Sequence, residues 1–314
     1  MILVNETESF VEHHLIKRPD DPFFTYVALG SVHAPHSPQY QYLDGSKVKG
    51  KYPGDHMDLL GEMDKIVGSL VQILENNRVL NDTIIVFASD NGGLGKSIKY
   101  GHTPSGPLRG QKASVYEGGH RIPFIMRWDN GNLPKGEKRP HLIGLNDLYA
   151  TILEYAGITK PHIQGNDSIS FAKYAVNRNM KMGLRKELGF WLFQQGVHTY
   201  SALRDGSMKL VYNHLDQKSE LYDLSNDLFE TTDISSNDTE LVLQMKSRLL
   251  ELGPCQNRQG KFRIKFNHNN VTISKNCGWV SRKWQRCYLP EAALYCAKTC
   301  RTGGKKACAT LIEM

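Results

Sequence analysis

The sequence predicts an α/β protein with a mostly parallel sheet covered by helices, followed by a small antiparallel sheet and a disulfide-rich tail. Apolar strand-like runs alternate with helical patterns over the first 160 residues, short strand-like runs follow, and all six cysteines lie in the last 60 residues. Strands that alternate with helices are typical of a parallel sheet with helices on its faces. We therefore place domain boundaries at 1–160, 161–253 and 254–314.

The first region contains three predicted strands and two predicted helices. The long helix has apolar residues at the i, i+3, i+4, i+7 spacing of an amphipathic helix, with Asp55 placed to cap it. The first strand is a continuous apolar run, which is typical of a strand buried on both faces. In chain order, these elements are strand Phe23–Gly30, helix Asp55–Arg78, strands Thr83–Ser89 and Pro123–Arg127, and helix Asp147–Tyr155.

The second region contains four short strand-like runs and one helix. Asp205-Gly206 joins two of the runs and is a hairpin signal. These elements predict a small antiparallel sheet with a helix against it. They are Phe190–Gln195, Tyr200–Asp205, Ser207–Tyr212, Glu220–Leu224 and the helix Glu240–Leu252.

The composition is that of a globular chain outside the membrane. With 314 residues and 40% hydrophobic content, the chain can bury a sizeable core. No run approaches the ~18 apolar residues that a transmembrane span requires. The apolar start, Met1–Val4, is too short for the core of a signal peptide.

Other features predict the secretory route, with the export signal upstream of Met1. Six cysteines in a short tail are typical of disulfides formed in an oxidising compartment, whereas zinc ligation is the alternative for Cys296 and Cys300. His268 is the tail's one histidine, which favours disulfides. The disulfide candidates are Cys255, Cys277, Cys287, Cys296, Cys300 and Cys308, and the glycosylation candidates are Asn5, Asn81, Asn166, Asn237 and Asn270. We expect a secreted or lysosomal glycoprotein.

The charge is concentrated in the tail. From Cys255 onward there are 12 Lys/Arg and 2 Asp/Glu, a net charge of +10, whereas the first 254 residues carry 27 and 30, a net of −3. A basic extracellular tail indicates docking to a polyanion such as an acidic glycan, and a solvated basic face is the alternative. Nucleic acid is disfavoured because no recognition motif accompanies the charge.

Three segments at predicted strand ends carry candidate site residues, because ligands of open α/β sheets bind beyond the carboxyl ends of parallel strands. The first is Asp90-Asn91 followed by Gly92-Gly93. A carboxylate and an amide carbonyl are oxygen donors suited to Ca²⁺ or Mg²⁺, although calcium takes ~6–8 ligands. Taken alone, the segment is also a common type of turn.

The other two segments offer a histidine and a lysine. His33 follows the first predicted strand and could donate a proton or bind an anion, or be an ordinary loop histidine. Lys112 lies in "PLRGQK", which is followed by "YEGGHR" before a strand. A lysine acts as a point charge for an anion, and glycines let backbone approach a ligand closely. A basic surface loop is the alternative.

Together these segments resemble the sulfatase family, specifically its arylsulfatase B-like branch. The stretches "VALGSVHAPH", "YPGDHMDLLGEMDKIVGSL", "NDTIIVFASDNGG" and "PLRGQKASVYEGGHRIPFIMRW" are similar to the family in order, spacing and residues. The stretches "ALRDGSMKLVY" and "ELYDLSNDLFETTDI" resemble its C-terminal part. The resemblance covers about residues 10 to 235 and implies a partial alkaline-phosphatase-like sandwich.

The resemblance implies calcium-dependent hydrolysis of sulfate esters, either aryl sulfates or sulfated carbohydrates. Asp90 and Asn91 would be metal ligands, while His33 and Lys112 would be catalytic and would bind the sulfate. Arg109, Glu117 and Arg121 match the motif as residues that hold the loop and its lysine in place.

The chain departs from the family pattern in several respects that bear on activity. It lacks the family's early paired aspartates, which give further calcium ligands, its early lysine and histidine, and its nucleophile. The family's nucleophile is a formylglycine made from the cysteine of a Cys-X-Pro-Ser-Arg-type motif, and these 314 residues contain no such motif. We expect a fragment that is inactive alone, with the motif encoded upstream. Two alternatives are a non-catalytic sulfatase-like protein that binds sulfated glycan and a phosphate-ester hydrolase of the same superfamily. The tail, "FRIK…CGWV…RC…CAKTC", resembles small cysteine-rich modules of secreted proteins.

Overall fold

The computed structural model describes residues 2–95, 101–158, 165, 167–180, 185–194, 197–252, 261–266 and 271–276. The chain forms a mixed α/β fold that separates into two compact units. Unit 1 comprises residues 1–90, 94–106 and 123–136, and unit 2 comprises residues 91–93, 107–122 and 137–314. The predicted domain boundaries stay predictions.

Unit 1 is built on two packed helices, α1 (Ile2–Lys17) and α2 (Asp55–Asn76). α1 was not predicted, because its apolar start was considered only as a targeting signal. Asp55 is not the cap of α2: Gly54 occupies that position at φ +88° without a side-chain hydrogen bond, and Asp55 lies in the first turn. A carboxylate there is favoured by the helix dipole rather than by capping.

The core of unit 1 lies between these helices and the loop that joins them. α2 buries Ile66 and Ile73 one heptad apart, and α1 buries Val4 and Val11 at the same spacing. This spacing puts each pair on one face of its helix. The buried cluster is Val4, Val11, Tyr42, Val48, Ile66 and Ile73.

The segment 23–30 is not a strand, so that prediction is wrong. Phe23 and Leu29 pack on the core of unit 1, whereas Phe24 and Tyr26 are 71% and 83% exposed. A continuously apolar run predicts a strand that is buried on both faces. In the described chain, one side of the segment is covered and no strand pairs with it.

The other two predicted strands of unit 1 form an antiparallel pair, whereas the sequence predicts a parallel sheet. β1 (Ile85–Ala88) and β2 (Phe124–Arg127) are antiparallel, with Ala88 opposite Phe124. The chain leaves β1 and re-enters β2 at the same end, where the Ser89 amide donates to the Pro123 carbonyl at 3.4 Å. Apolar periodicity carries no information on strand direction, which explains the error.

Unit 2 contains the predicted antiparallel sheet. Its four strands lie in sequence order, β3 (Glu187–Gln194), β4 (Val197–Asp205), β5 (Met208–Asn213) and β6 (Lys218–Asp223). The expected hairpin joins β4 to β5: Asp205 pairs with Met208 and Gly206 has φ +58°. Glycine accepts this conformation without steric strain, which is why the dipeptide was a useful signal.

The two faces of this sheet are covered by different parts of unit 2. One face packs against α6 (Thr239–Leu252) through Met245 and Leu249. The opposite face packs against Val115 and Tyr116, which belong to the predicted site loop. The antiparallel sheet is therefore the platform on which this loop rests.

The remaining elements are short. They are the 3₁₀ turn Leu80–Asp82, α3 (Glu117–His120), the predicted α4 (Asp147–Tyr155), α5 (Ala172–Val176), and the antiparallel pair β7 (Lys261–Phe266) and β8 (Val271–Asn276). No helix among the described residues has the length and apolarity to cross a membrane.

The predicted tail chemistry falls largely outside the described residues. All six cysteines, His268, Asn166 and Asn270 lie there. Of the other glycosylation candidates, Asn5 is exposed on α1, Asn81 is exposed in the 3₁₀ turn, and Asn237 is exposed in a turn before α6. Disulfides and glycosylation stay predictions.

Candidate functional site

Three backbone segments of unit 2 meet where glycine is the only residue that fits. The Gly92 amide donates to the Gly119 carbonyl at 2.9 Å, and the Gly118 amide donates to the Arg109 carbonyl at 2.7 Å. A Cβ on Gly92 would lie 1.9 Å from the Gly118 carbonyl oxygen, and a Cβ on Gly119 would lie 2.1 Å from that of Ser114. The glycines of "DNGG" and "EGG" thus permit close backbone approach.

Lys112 is fixed beside this junction. Its amide donates to the Gly93 carbonyl at 2.8 Å, which ties the lysine to the end of the Asp90–Gly93 turn. The side chain is half-buried and makes no ion pair with any described residue. A half-buried ammonium without a protein counter-charge is suited to an anionic ligand.

Arg109, three residues before Lys112, holds one end of the loop. Its guanidinium donates to the Tyr222 hydroxyl at 2.6 Å and to the Glu230 carbonyl at 3.1 Å, and lies 3.8 Å from the centre of the Tyr116 ring. Stacking on an aromatic face and donation to fixed acceptors use the planar geometry of arginine.

Glu117 holds the other end through a fully buried charge network. Lys209 Nζ on β5 lies 2.9 Å from Glu117 Oε1 and 2.7 Å from Glu230 Oε1, and all three side chains are buried. The Glu117 amide also donates to Glu230 Oε2 at 2.7 Å. Arg121 donates to Glu117 Oε2 at 2.9 Å from the exposed side.

These charges set the protonation of the network. Burial alone would raise the pKa of Glu117, but the Lys209 ammonium, helped by Arg121, lowers it to about 2. Burial raises the pKa of Glu230, which shares the same lysine. Burial and the Lys209 charge lower the pKa of His120 to about 4, so this ring is neutral where it stacks on Phe190 at 3.7 Å.

The predicted metal ligands follow the end of β1. Asp90 is exposed, and its carboxylate interacts with no other described side chain. Asn91 is half-buried next to the glycine junction. Two oxygen donors do not form a calcium shell, which takes ~6–8 ligands, and no group of three or more His, Cys, Asp or Glu among the described residues could hold a metal ion. We therefore assign no chemical step to a metal.

His33 lies in an exposed loop of unit 1. Its amide donates to the Gly30 carbonyl at 2.9 Å, and its Nδ1 donates to the Ala34 carbonyl at 2.6 Å. Because a carbonyl only accepts, Nδ1 carries the proton and Nε2 is the ring atom available to a ligand.

The structure brings together two of the four predicted site residues. Asn91 and Lys112 lie in unit 2, and the bond to Gly93 joins their segments. His33 and Asp90 belong to unit 1. The sequence prediction of the site did not include Lys209 and Glu230. The available signal was a lysine inside the apolar strand "SMKLVY", where an unpaired charge would be unfavourable.

A comparison with family models identifies the protein family of this chain. The model of the family described as Sulfatase matches residues 1–158, which is just over half of the chain. The chain belongs to the sulfatase family. A second model, described as N-sulphoglucosamine sulphohydrolase, C-terminal, matches residues 111–254 of this sulfatase-family chain, a range that includes the Lys112 loop and the antiparallel sheet.

Curated relatives of this chain agree with that assignment. A sulfatase of Formosa agariphila is 29% identical over 83% of the chain, and an N-acetylgalactosamine-6-O-sulfatase of Bacteroides thetaiotaomicron is 28% identical over 80%. The human N-acetylgalactosamine-6-sulfatase is 31% identical over 53%. The alignments cover 49%, 50% and 31% of these proteins, so the chain spans about half or less of the length of the relatives it matches.

Solved structures show the same fold. The crystal structure of Ps i-CgsB in complex with k-i-k-neocarrahexaose superposes with a TM-score of 0.68 at 26% identity, covering 80% of this chain and 53% of that one. A glycosaminoglycan-metabolism sulfatase of Bacteroides thetaiotaomicron (BT33336S-sulf) gives a TM-score of 0.66 at 25% identity, with coverages of 79% and 53%.

Proposed function

We propose that this chain forms the part of a sulfuric ester hydrolase that binds the sulfate group of a sulfated carbohydrate or aryl sulfate. The observation that carries the proposal is Lys112, a half-buried lysine with no ion-pair partner among the described residues. Its loop is clamped on both sides, by Arg109 before it and Glu117 after it. Such clamping is what positions a charge for a ligand rather than leaving it to solvent.

In this proposal the two side chains have different roles. The Lys112 ammonium binds the sulfate oxygens and stabilises the negative charge that develops on them during ester cleavage. The Nε2 atom of His33, oriented by the Nδ1 bond to Ala34, binds the ester and gives a proton to the leaving oxygen when protonated. Asp90 and Asn91 would contribute two oxygen ligands to a calcium ion whose other ligands are not among the described residues.

The names of the relatives suggest the probe for a binding test. Relatives from Bacteroides thetaiotaomicron and from human carry the name N-acetylgalactosamine-6-sulfatase or its 6-O form. Calorimetry should compare N-acetylgalactosamine 6-sulfate with unsulfated N-acetylgalactosamine for the wild-type chain and for Lys112→Ala. A charge-assisted contact is worth about 1.5–3 kcal/mol, so Lys112→Ala should weaken sulfated-sugar binding about tenfold or more.

The matched control is Lys135→Ala, because the Lys135 side chain is 83% exposed. This variant should bind the sulfated sugar as the wild type does. Equal affinity of the wild type and Lys112→Ala for the sulfated sugar would contradict the proposal.

We expect the chain to bind without turnover, because it contains no Cys-X-Pro-Ser-Arg motif to supply the nucleophile. Assays with 4-methylumbelliferyl sulfate and the matching phosphate would test this expectation and the alternative ester class together. Sulfate turnover above the Lys112→Ala background would refute the expected inactivity, and phosphate turnover would favour the phosphate-ester alternative. Secretion and docking of the basic tail to polyanions remain part of the proposal.

A further inference from the structure

Three histidines from separate segments of unit 1 form a cluster that the proposed hydrolysis does not use. His36 follows the segment 23–30, His56 lies in the first turn of α2, and His102 follows β1. The His36 and His56 ring centres are 5.0 Å apart, as are those of His56 and His102. All three side chains are half-buried. We call these residues the histidine cluster.

Two of the rings share a hydrogen bond, and one ring nitrogen has no partner. His102 Nε2 and His56 Nδ1 are 3.0 Å apart, so one of these atoms donates and the other accepts. His102 Nδ1 is buried and has no hydrogen-bond partner among the described residues. A buried polar atom without a partner is unfavourable unless a ligand or water satisfies it.

The histidine cluster also has no protein counter-charge. None of its rings forms an ion pair with a carboxylate in the described part of the chain. The nearest acids in sequence are Asp55 and Asp58 on α2. Asp58 is buried and accepts from the amides of Gly50, Lys51 and Tyr52 at 2.5–3.0 Å, so its charge is committed to the backbone. Asp55 precedes His56 in the sequence and is exposed.

The electrostatic surroundings favour an anion once the cluster is protonated. Burial, then the neighbouring charges of His102 and His36, lowers the pKa of His56. When an anion binds, it reduces the electrostatic repulsion between neighbouring protonated rings that have no carboxylate between them. The first turn of α2, which contains His56, adds the positive end of the helix dipole to this potential.

We propose that His36, His56 and His102 bind an oxyanion, a sulfate or carboxylate group of an acidic ligand, and that they bind it more tightly as the pH falls. The site goes beyond the proposed ester hydrolysis because it uses none of His33, Lys112 or the Asp90–Asn91 pair. Protonation supplies the donor N–H groups and the positive charge, and the anion supplies the missing counter-charge. Binding and protonation are therefore linked reciprocally.

The test uses the full 314-residue chain with its histidines labelled with ¹³C at Cε1. Sodium sulfate and sodium acetate are titrated separately at pH 5.5 and pH 7.5, with sodium chloride as the ionic-strength control. The variants His36→Gln, His56→Gln and His102→Gln assign the three resonances. His13, which is exposed on α1, is the internal control.

Under the proposal, the three cluster resonances shift saturably with sulfate at pH 5.5 and His13 does not. Above the pKa of the cluster, the affinity should fall about tenfold per pH unit for one linked proton. Sulfate should also raise the apparent pKa of the cluster. The acetate titration shows whether a carboxylate binds as well, which identifies the class of oxyanion.

One further variant separates this site from the proposed sulfate-ester site. Lys112→Ala should leave the sulfate-induced shifts of the cluster resonances unchanged. Loss of sulfate binding at Lys112 can therefore be distinguished from loss of binding at the histidine cluster. The basic tail is identical in every variant, so any anion that it binds has the same effect in each titration and does not alter the comparison. Cluster shifts that are absent, or that match those of His13 or of the chloride control, would overturn the proposal. If one glutamine variant unfolds, the other two still assign their resonances, and the shifts of these two in the wild-type titration decide.

Discussion

Lys209 and Glu117 form a fully buried ion pair, with Nζ and Oε1 2.9 Å apart, that joins the antiparallel sheet to the site loop. β5 supplies the lysine, and α3, at the end of the Lys112 loop, supplies the glutamate. The Lys209 ammonium also contacts the carboxylate of Glu230, so one positive charge lies between two negative charges. The position of Lys112 thus depends on a charge network in which every member needs its partners.

Replacement of Lys209 by methionine should destabilise unit 2 strongly. The substitution keeps an unbranched side chain but leaves Glu117 and Glu230 buried with no ammonium between them. Removal of one partner from a buried ion pair typically costs about 3–5 kcal/mol. Urea unfolding followed by circular dichroism would measure the loss. Lys218→Met, at an exposed position on β6, is the control and should change the unfolding free energy by no more than about 0.5 kcal/mol.

Acid should weaken unit 2 in two successive pH windows. The pKa of His120 is lowered to about 4, below its unfolded value of 6.5, so its contribution is present above pH 6.5 and is lost as the pH falls to about 4. The pKa of Glu117 is lowered to about 2, so its contribution is present above pH 4.5 and is lost toward pH 2. Each loss is about 3 kcal/mol. The raised pKa of Glu230 acts in the opposite direction.

Urea midpoints measured from pH 7.5 to pH 3 would show the first window and the onset of the second. His120→Gln should flatten the slope between pH 6.5 and 4 while leaving the lower window in place. A wild-type profile that is flat from pH 6.5 to pH 4 would contradict this prediction.

Gly92→Ala should disrupt the backbone junction. The added methyl group would lie 1.9 Å from the Gly118 carbonyl oxygen, which is backbone and cannot rotate away. Overpacking of this kind costs about 1–3 kcal/mol and displaces neighbouring segments. Gly68→Ala is the control, because nothing lies within 4 Å of its Cβ position in the middle of α2. That substitution should stabilise the chain by about 0.5–1 kcal/mol.

Phe23 and Phe24 should respond differently to substitution by serine. Phe23 packs on the core of unit 1, so Phe23→Ser should cost about 1–2 kcal/mol in chemical unfolding. Phe24 is 71% exposed, so Phe24→Ser should leave stability nearly unchanged and reduce self-association in sedimentation velocity. If Phe24→Ser were the more destabilising of the two, the placement of this segment would be wrong.

The sequence predicted elements well where local patterns determine them. α4 coincides with the predicted helix, α2 and α6 differ from their predictions by no more than two residues at either end, and the hairpin at Gly206 is confirmed. These features depend on helical spacing and on one dipeptide, both of which can be read within a short window.

The incorrect predictions concern the tertiary contacts of each element. The run from Phe23 was assigned two buried faces, and β1 was assigned a parallel neighbour, because apolar content does not say what covers a segment or in which direction its partner runs. For the same reason the partners of Glu117 were missed: Lys209 and Glu230 are distant in sequence and meet it only through the tertiary fold. The histidine cluster was missed because its members come from three segments.

The hydrogen bond from Lys112 to the Gly93 carbonyl is made by the backbone amide and not by the side chain. Every residue except proline has this donor, so any other substitution at position 112 retains the bond. Mutagenesis can therefore change the charge, length and shape of the group at this position while its backbone attachment stays in place.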